Sequence, residues 1–356
     1  MTFTTRHAFL ALFALWMISL SASSSLGAES DGRLDIYFID VEGGASTLLV
    51  TPGGESILID SGYPDFMNRD RDRILKVVRD VAKLKQIDHA VVTHWHMDHY
   101  GNHAALAAEI PIRTFWDRGI PDALREDKKF EERIALYRAA SQNQSRTLKA
   151  GDEFDLPSNE TPLKVKILTA SREVIKNTGK PNPFASEHEP KPEDTSDNAA
   201  SITMLLQFGD FKFLCCGDLT WNMEKELVTP LNPIGKVDLF MVTHHGLGVS
   251  NNPVLVKAID PVTSVMCNGP TKGGDPKVIA TVRSCPSLKG FYQLHRNLKL
   301  SAEEQTPQEF IANDGSTEEC KGVWIKASVA PDGKSYTIQI GESGPVREYK
   351  TRSHDD

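Results

Sequence analysis

Seven residues, Thr93-His94-Trp95-His96-Met97-Asp98-His99, constrain this chain more than any other stretch. They end an apolar run, residues 87–93, whose length and β-branched content predict a short strand. A strand feeding a polar loop at its C-terminal end is where α/β proteins place chemistry. In an extended loop the i, i+2 spacing puts His94 and His96 on one side. Asp98 and His99 then turn back to offer a carboxylate and another imidazole. Such a donor set suits zinc, iron or manganese. A solvated surface loop has no need of histidine at this density.

The flanking pattern supplies a scaffold for that loop. Alternation over 34–39 predicts a strand ending at Asp40, and Gly43-Gly44 punctuates it. Residues 46–51 and 56–60 read as two further strands joined at Pro52-Gly53-Gly54, an antiparallel opening. From Asp70 the period becomes helical, with Ile74, Val77, Val78, Val81 and Leu84 on one face. Helices are also expected over 102–110, 128–140 and 223–227, and strands over 163–169, 201–208, 211–216 and 237–243. Gly209-Asp210 marks a hairpin, and the strand over 237–243 leads into His244. Residues 179–198, rich in proline and acidic side chains, are expected to form a loop or lid. Residues 300–356 read as a C-terminal extension with a hairpin at Pro331-Asp332-Gly333. This alternation, without a fixed-period repeat, makes residues 29–356 one α/β unit.

Residues 1–28 read as an export signal: Arg6 and His7, an apolar run over 8–20, then a small, polar stretch. Cleavage is expected after Ala28 or near Ser24, with a retained anchor as the alternative; the run is short for a spanning helix. The mature chain is then periplasmic or secreted, and no later segment is apolar enough to cross a bilayer. A net charge of −8 argues against a protein that coats nucleic acid. The 5 cysteines are an odd number, so an exported chain keeps at least one thiol unpaired within itself. Cys285 and Cys320, in the polar C-terminal part, are the candidate disulfide. Cys215, Cys216 and Cys267 lie in apolar runs and are expected to be buried.

The His94–His99 pattern, His-x-His-x-Asp-His, resembles the hallmark of the metallo-β-lactamase superfamily. Asp60 matches an upstream aspartate that orients a metal-ligating residue from behind. Gly217-Asp218 matches the position of a bridging carboxylate, and His244 that of a last histidine ligand. The resemblance implies an αββα sandwich of two mixed sheets flanked by helices. It also implies two divalent metal ions, by default zinc, with manganese or iron as alternatives. His94 and His96 would hold one, Asp98, His99 and His244 the other, with Asp218 between them. Asp98 would orient the nucleophile, and His245 would shuttle protons or support His244. The finer pattern resembles the hydrolase domain of ComEC-type DNA-uptake proteins and their free-standing relatives. It rests on Asp40-Val-Glu-Gly-Gly-Ala-Ser46, Ile57-Leu-Ile-Asp-Ser-Gly62, Asn198-Ala-Ala-Ser201 and Thr243-His244-His245-Gly246. Asn198 stands where many superfamily members have a further histidine, Gly43 where the motif has glutamine, and Asp275-Pro276 where a His-Pro pair is usual.

The resemblance implies metal-dependent hydrolysis of a phosphodiester or related ester. The substrate would be a small molecule or another phosphodiester, and the acidic net charge does not favour long nucleic acid. The alternatives are a lactone or thioester hydrolase, a β-lactamase-like enzyme, and a non-catalytic metal-binding module.

Overall fold

The first strand, Leu34–Phe38, is buried on both faces. Leu34, Ile36 and Phe38 join one apolar cluster, while Tyr37 joins another with Ile39. A strand apolar on both faces needs a layer on each side, and the fold supplies them. The computed structural model describes residues 31–64 and 67–353. The expected signal, residues 1–28, lies outside them. Among the described residues no helix is long and apolar enough to cross a membrane.

Two large sheets pack face to face, each antiparallel in one half and parallel in the other. In the first the strands run in the order Arg347–Lys350, Ser335–Ile340, Ile325–Val329, Leu34–Phe38, Thr47–Val50, Ser56–Ile59, Ile87–Val91, Ile112–Asp117 and Arg146–Thr147. The pairings become parallel from Ser56–Ile59 onward. In the second, Glu153–Leu156, Leu163–Ala170, Thr203–Phe208 and Phe211–Cys215 pair antiparallel. Leu239–Met241, Thr263–Met266, Gly290–His295 and Ile311–Asn313 continue it in parallel. Between the sheets, Ile36, Phe38, Leu49 and Ile59 meet Ile167, Met204, Phe213 and Met241. The rings of Phe38 and Phe213 lie edge to face at 5.9 Å.

Helices cover the outer faces. Arg69–Leu75, continued by a wider π-helical turn at Lys76–Val81, packs with His103–Glu109 and Phe130–Ala140 on the first sheet. Trp221–Val228, Pro253–Ile259 and Pro276–Arg283 cover the second. The result is the expected α/β architecture of two mixed sheets flanked by helices.

Two segments are tied into the body of the fold. The hairpin of Ile325–Val329 and Ser335–Ile340 pairs with Leu34–Phe38, so the C-terminal residues widen the first sheet. The stretch over 179–198 is anchored along its length. Lys180–Pro181 pairs with Leu231–Asn232, and the Asn182 amide donates to the carbonyls of Val228 and Val254. Trp221 Nε1 donates to the Glu189 carbonyl at 2.8 Å, and the Lys191 ammonium lies 3.3 Å from the Trp221 ring centre.

Candidate metal centre

The loop after Ile87–Val91 leaves the first sheet where the two sheets meet. Val92 N donates to Trp116 O, and Thr93 O accepts from Ile202 N of the other half. Trp95 turns into the helical layer, fully buried against Tyr100, Phe130 and Tyr137. It belongs to the core and not to a substrate surface. His94 and His96 face the other way, their rings 4.7 Å apart. His96 precedes the single turn Met97–Tyr100, which swings Asp98 and His99 back toward them.

Asp218 arrives from the second sheet, three residues past Phe211–Cys215. Gly217 has φ 54°, and a Cβ there would meet the Thr93 side chain at 3.0–3.1 Å, so glycine lets the two loops touch. Asp218 Oδ2 lies 3.2 Å from His99 Nε2, 3.3 Å from both His244 Nε2 and His245 Nε2, and 3.9 Å from His94 Nε2. One carboxylate oxygen thus has four imidazole nitrogens around it.

Two consecutive histidines reach the same atom because their backbone is left-handed. His244 and His245 have φ 52° and 55°, a conformation costing about 1–2 kcal/mol per non-glycine residue. In an extended strand their side chains would point to opposite faces. The turn is fixed by His244 N to Gly217 O, Gly274 N to His245 O, and Asn251 Nδ2 to Thr243 O. The turn thus brings His245 into the group beside the expected His244. His245 joins Asp98, His99 and Asp218 in one buried group whose donor atoms lie within 4.8 Å of each other. Its Nε2 stands 3.4 Å from Asp98 Oδ2, whereas His244 meets the cluster at Asp218.

Partners behind each ring set its tautomer. His99 Nδ1 lies 2.8 Å from Asp60 Oδ2, and His245 Nδ1 lies 3.1 Å from the Cys267 carbonyl. Both partners accept, so each Nδ1 carries a hydrogen, and Nε2 is the ring atom each would turn to a metal ion. His244 Nδ1 is 3.0 Å from Ser250 Oγ, and His94 Nδ1 is 3.1 Å from Thr93 Oγ1. Asp60 is fully buried and also accepts from Thr93 N and Thr93 Oγ1, each at 2.8 Å.

The charge balance favours a cation. Burial pushes His94 well below the ordinary histidine range and His244 down to about 4. Burial opposes charge on Asp98 and Asp218 too, yet the surrounding imidazoles, with Lys272 beside Asp98, hold both carboxyls well below their usual range. His99 is held well above its own because Asp218, Asp60 and Asp98 outweigh its burial. His94 Nε2 and His245 Nε2 are buried without a hydrogen-bond partner. Imidazole lone pairs converging on ionised carboxylates fit a divalent ion, which would replace the proton on His99.

Several other residues fall outside this convergence. His96 Nε2 stands at the rim, 3.3 Å from Glu126 Oε1. Asn198 is buried on the turn Asp197–Ala200, its Oδ1 without a partner. His188 pairs with Asn252, and Arg283 and Arg296 bond to Glu303 and Asp314. The Cys285–Cys320 disulfide is not formed; both thiols are free. Cys285 packs in the second helical layer against the Val256 carbonyl, while Cys320 faces Asp40 beside the first sheet. Polar flanking sequence said nothing about this separation. Cys215, Cys216 and Cys267 are buried.

Two further groups stand at the rim. Glu126 carries no sequence signal. Lys272 follows the parallel strand Thr263–Met266, the kind of strand end where functional groups gather, yet alone it reads as a surface lysine. Its ammonium is ion-paired to Asp98 and lies 3.3 Å from the Tyr63 hydroxyl. Gly43 makes room for it, since a Cβ there would lie 3.0 Å from Lys272 Cβ.

His103, behind the loop, gives a pH test of the scaffold. It is fully buried, its Nδ1 2.7 Å from Ser61 Oγ, and burial lowers it to about 4. The depressed value means stability is present above the unfolded pKa near 6.5 and lost as pH falls toward 4. In metal-free protein, urea unfolding at pH 7 and pH 5 should show a loss about 2 kcal/mol larger in the wild type than in His103→Asn. Equal losses would show that His103 takes up its proton in the folded state.

The Metallo-beta-lactamase superfamily model matches residues 40–192. No curated protein matches the chain. Among solved structures, a Parabacteroides distasonis protein described as a metal-dependent hydrolase aligns at 14% identity and TM-score 0.38, covering 73% of this chain and 93% of that one. CmlA, a diiron beta-hydroxylase from Streptomyces venezuelae, aligns at 17% identity and TM-score 0.36, covering 65% and 44%. MEM-A1, a subclass B3 metallo-beta-lactamase from a soil metagenome library, aligns at 13% identity and TM-score 0.33, covering 73% and 75%.

Proposed function

We propose, from the metallo-beta-lactamase superfamily membership that the match over residues 40–192 supports, that this chain is a metal-dependent hydrolase of phosphodiesters or related esters. The convergence of four imidazole Nε2 atoms on Asp218 Oδ2 carries the reading. His94, His96 and His244 would hold one ion, Asp98, His99 and His245 the other, with Asp218 reaching both. Two divalent ions, zinc by default, would supply Lewis acidity and a water acidic enough to ionise near neutral pH. The ComEC-type resemblance of the flanking motifs supports the phosphodiester class.

The chain's own groups divide the remaining work. Asp60 and the Cys267 carbonyl hold His99 and His245 in the tautomers that present Nε2. Lys272, paired to Asp98 and adjoining Tyr63, offers a cation to an anionic phosphoryl oxygen. It also opposes a divalent ion at Asp98. Lys272→Met should therefore bind zinc at least as tightly as the wild type while losing about tenfold or more in kcat/KM on an anionic diester. Weaker zinc binding with unchanged kcat/KM would remove Lys272 from substrate contact.

Activity is tested on the purified chain supplied with zinc or manganese, using a nitrophenyl phosphodiester, a lactone, a thioester and a β-lactam. Chelator-sensitive turnover of the phosphodiester, absent from His94→Ala, is the expected result. Turnover confined to the lactone, thioester or β-lactam would overturn the substrate class. No turnover by metal-loaded protein would point to a binding role.

A further inference from the structure

Asp40, Glu42 and His295, all buried, and the half-buried Cys320 form another group whose donor atoms lie within 4.8 Å of one another. They come from three distant segments. Asp40 and Glu42 follow Leu34–Phe38 of the first sheet, and His295 ends Gly290–His295 of the second. Cys320 precedes Ile325–Val329, where the chain returns to the first sheet. We propose that this group is a separate structural metal site, for zinc or a similar thiophilic divalent ion, tying the two sheets together.

The distances approach those of a coordination shell. His295 Nε2 lies 3.0 Å from Asp40 Oδ2, Cys320 Sγ lies 3.1 Å from that oxygen, and Sγ and Nε2 are 3.4 Å apart. Bonds of ~2.3 Å to sulfur and ~2.0 Å to nitrogen and oxygen, at tetrahedral angles, put such donors about 3.3–3.6 Å apart. The three need only part by less than about half an ångström. Glu42 completes a Cys-His-carboxylate set of the kind zinc accepts.

Charge and proton accounting agree. Arg73 pairs with Asp40 and Glu42, and Arg69 with Glu42 and Asp70. Three carboxylates thus face two guanidiniums, which leaves one negative charge. Metal binding releases the Sγ proton to solvent, and the thiolate adds a second negative charge. A divalent ion cancels both. In the metal-free chain His295 Nε2 donates to Asp40 Oδ2 at 3.0 Å; binding an ion there moves that hydrogen to Nδ1, which is buried with no hydrogen-bond partner and so has no other bond to break. An ion here would also steady the loop beyond Glu42. There Gly43 abuts Lys272, and Ala45 N donates to the Asp98 carbonyl at 3.0 Å.

Cobalt(II) titration of the chelated, reduced, full chain tests the site. A thiolate-to-cobalt charge-transfer band in the near ultraviolet is expected, as the candidate hydrolytic cluster has no sulfur ligand. Cys320→Ser should lose that band and one bound ion per chain, whereas Asp218→Ala should keep the band. His295→Gln should weaken it, and circular dichroism would show each variant folded. A wild type that binds cobalt without a thiolate band, or a band that survives in Cys320→Ser, would overturn the proposal.

Discussion

Replacing Asp218 with alanine is expected to abolish at least one metal equivalent and lower turnover about a thousandfold, roughly 4 kcal/mol of transition-state stabilisation. The fold should persist. In metal-free protein the carboxylate mainly balances imidazoles, and those can shed their protons when it is gone; His244 is already held near 4 by burial. Thermal melts should therefore separate two quantities. The metal-free melting temperature should stay close to the wild type, while the rise on adding zinc should shrink. Unchanged metal content and rate in Asp218→Ala would refute the bridging assignment. A collapse of the metal-free protein would make Asp218 a structural acceptor.

Asp60→Asn should have the next largest effect, through a single hydrogen atom. The carboxylate accepts from His99 Nδ1, Thr93 N and Thr93 Oγ1. In the amide, one oxygen can still accept from Thr93 N, but the NH2 group then faces His99 Nδ1. The ring is pushed to the tautomer with hydrogen on Nε2, the atom turned toward Asp218. Metal affinity should drop about 10–100-fold, with the far-ultraviolet circular dichroism unchanged. Nitrogen NMR shifts of His99 in the metal-free protein would report the tautomer directly. Unaltered affinity with Nδ1 still protonated would show that Asp60 does not orient this ring.

Much of this arrangement was legible in the sequence because the signals are local. Periodicity placed the helices near 69–81, 103–109 and 130–140, and a strand feeding His94, since burial imposes 3.6- and 2-residue periods. The density of donors in residues 94–99 announced a metal loop, and its side-chain directions follow from the extended start and the turn at Met97. Asp60 and Asp218 were reachable only through a family resemblance, because a single carboxylate at a strand end has no periodic signature.

What could not be read is non-local or conformational. That His244 and His245 both reach Asp218 depends on two successive left-handed residues, held by Gly217 and Gly274 from elsewhere in the chain. Lys272 enters the rim because Gly43, more than two hundred residues earlier, leaves space for its stem. The C-terminal hairpin looks like an appendage until its register with Leu34–Phe38 is known. Cys320 reads as a disulfide candidate by composition, yet its neighbours are Asp40 and His295, contributed by both sheets.

On the proposed function, the carboxylate of Asp218 would reach two divalent ions. Crystals of the zinc-loaded chain, measured on both sides of the zinc absorption edge, test it most directly. Two anomalous peaks flanking Asp218 are expected, one beside His94 and His96 and the other beside Asp98, His99 and His245. Anomalous density absent from Asp218, or confined to Cys320 and His295, would contradict it.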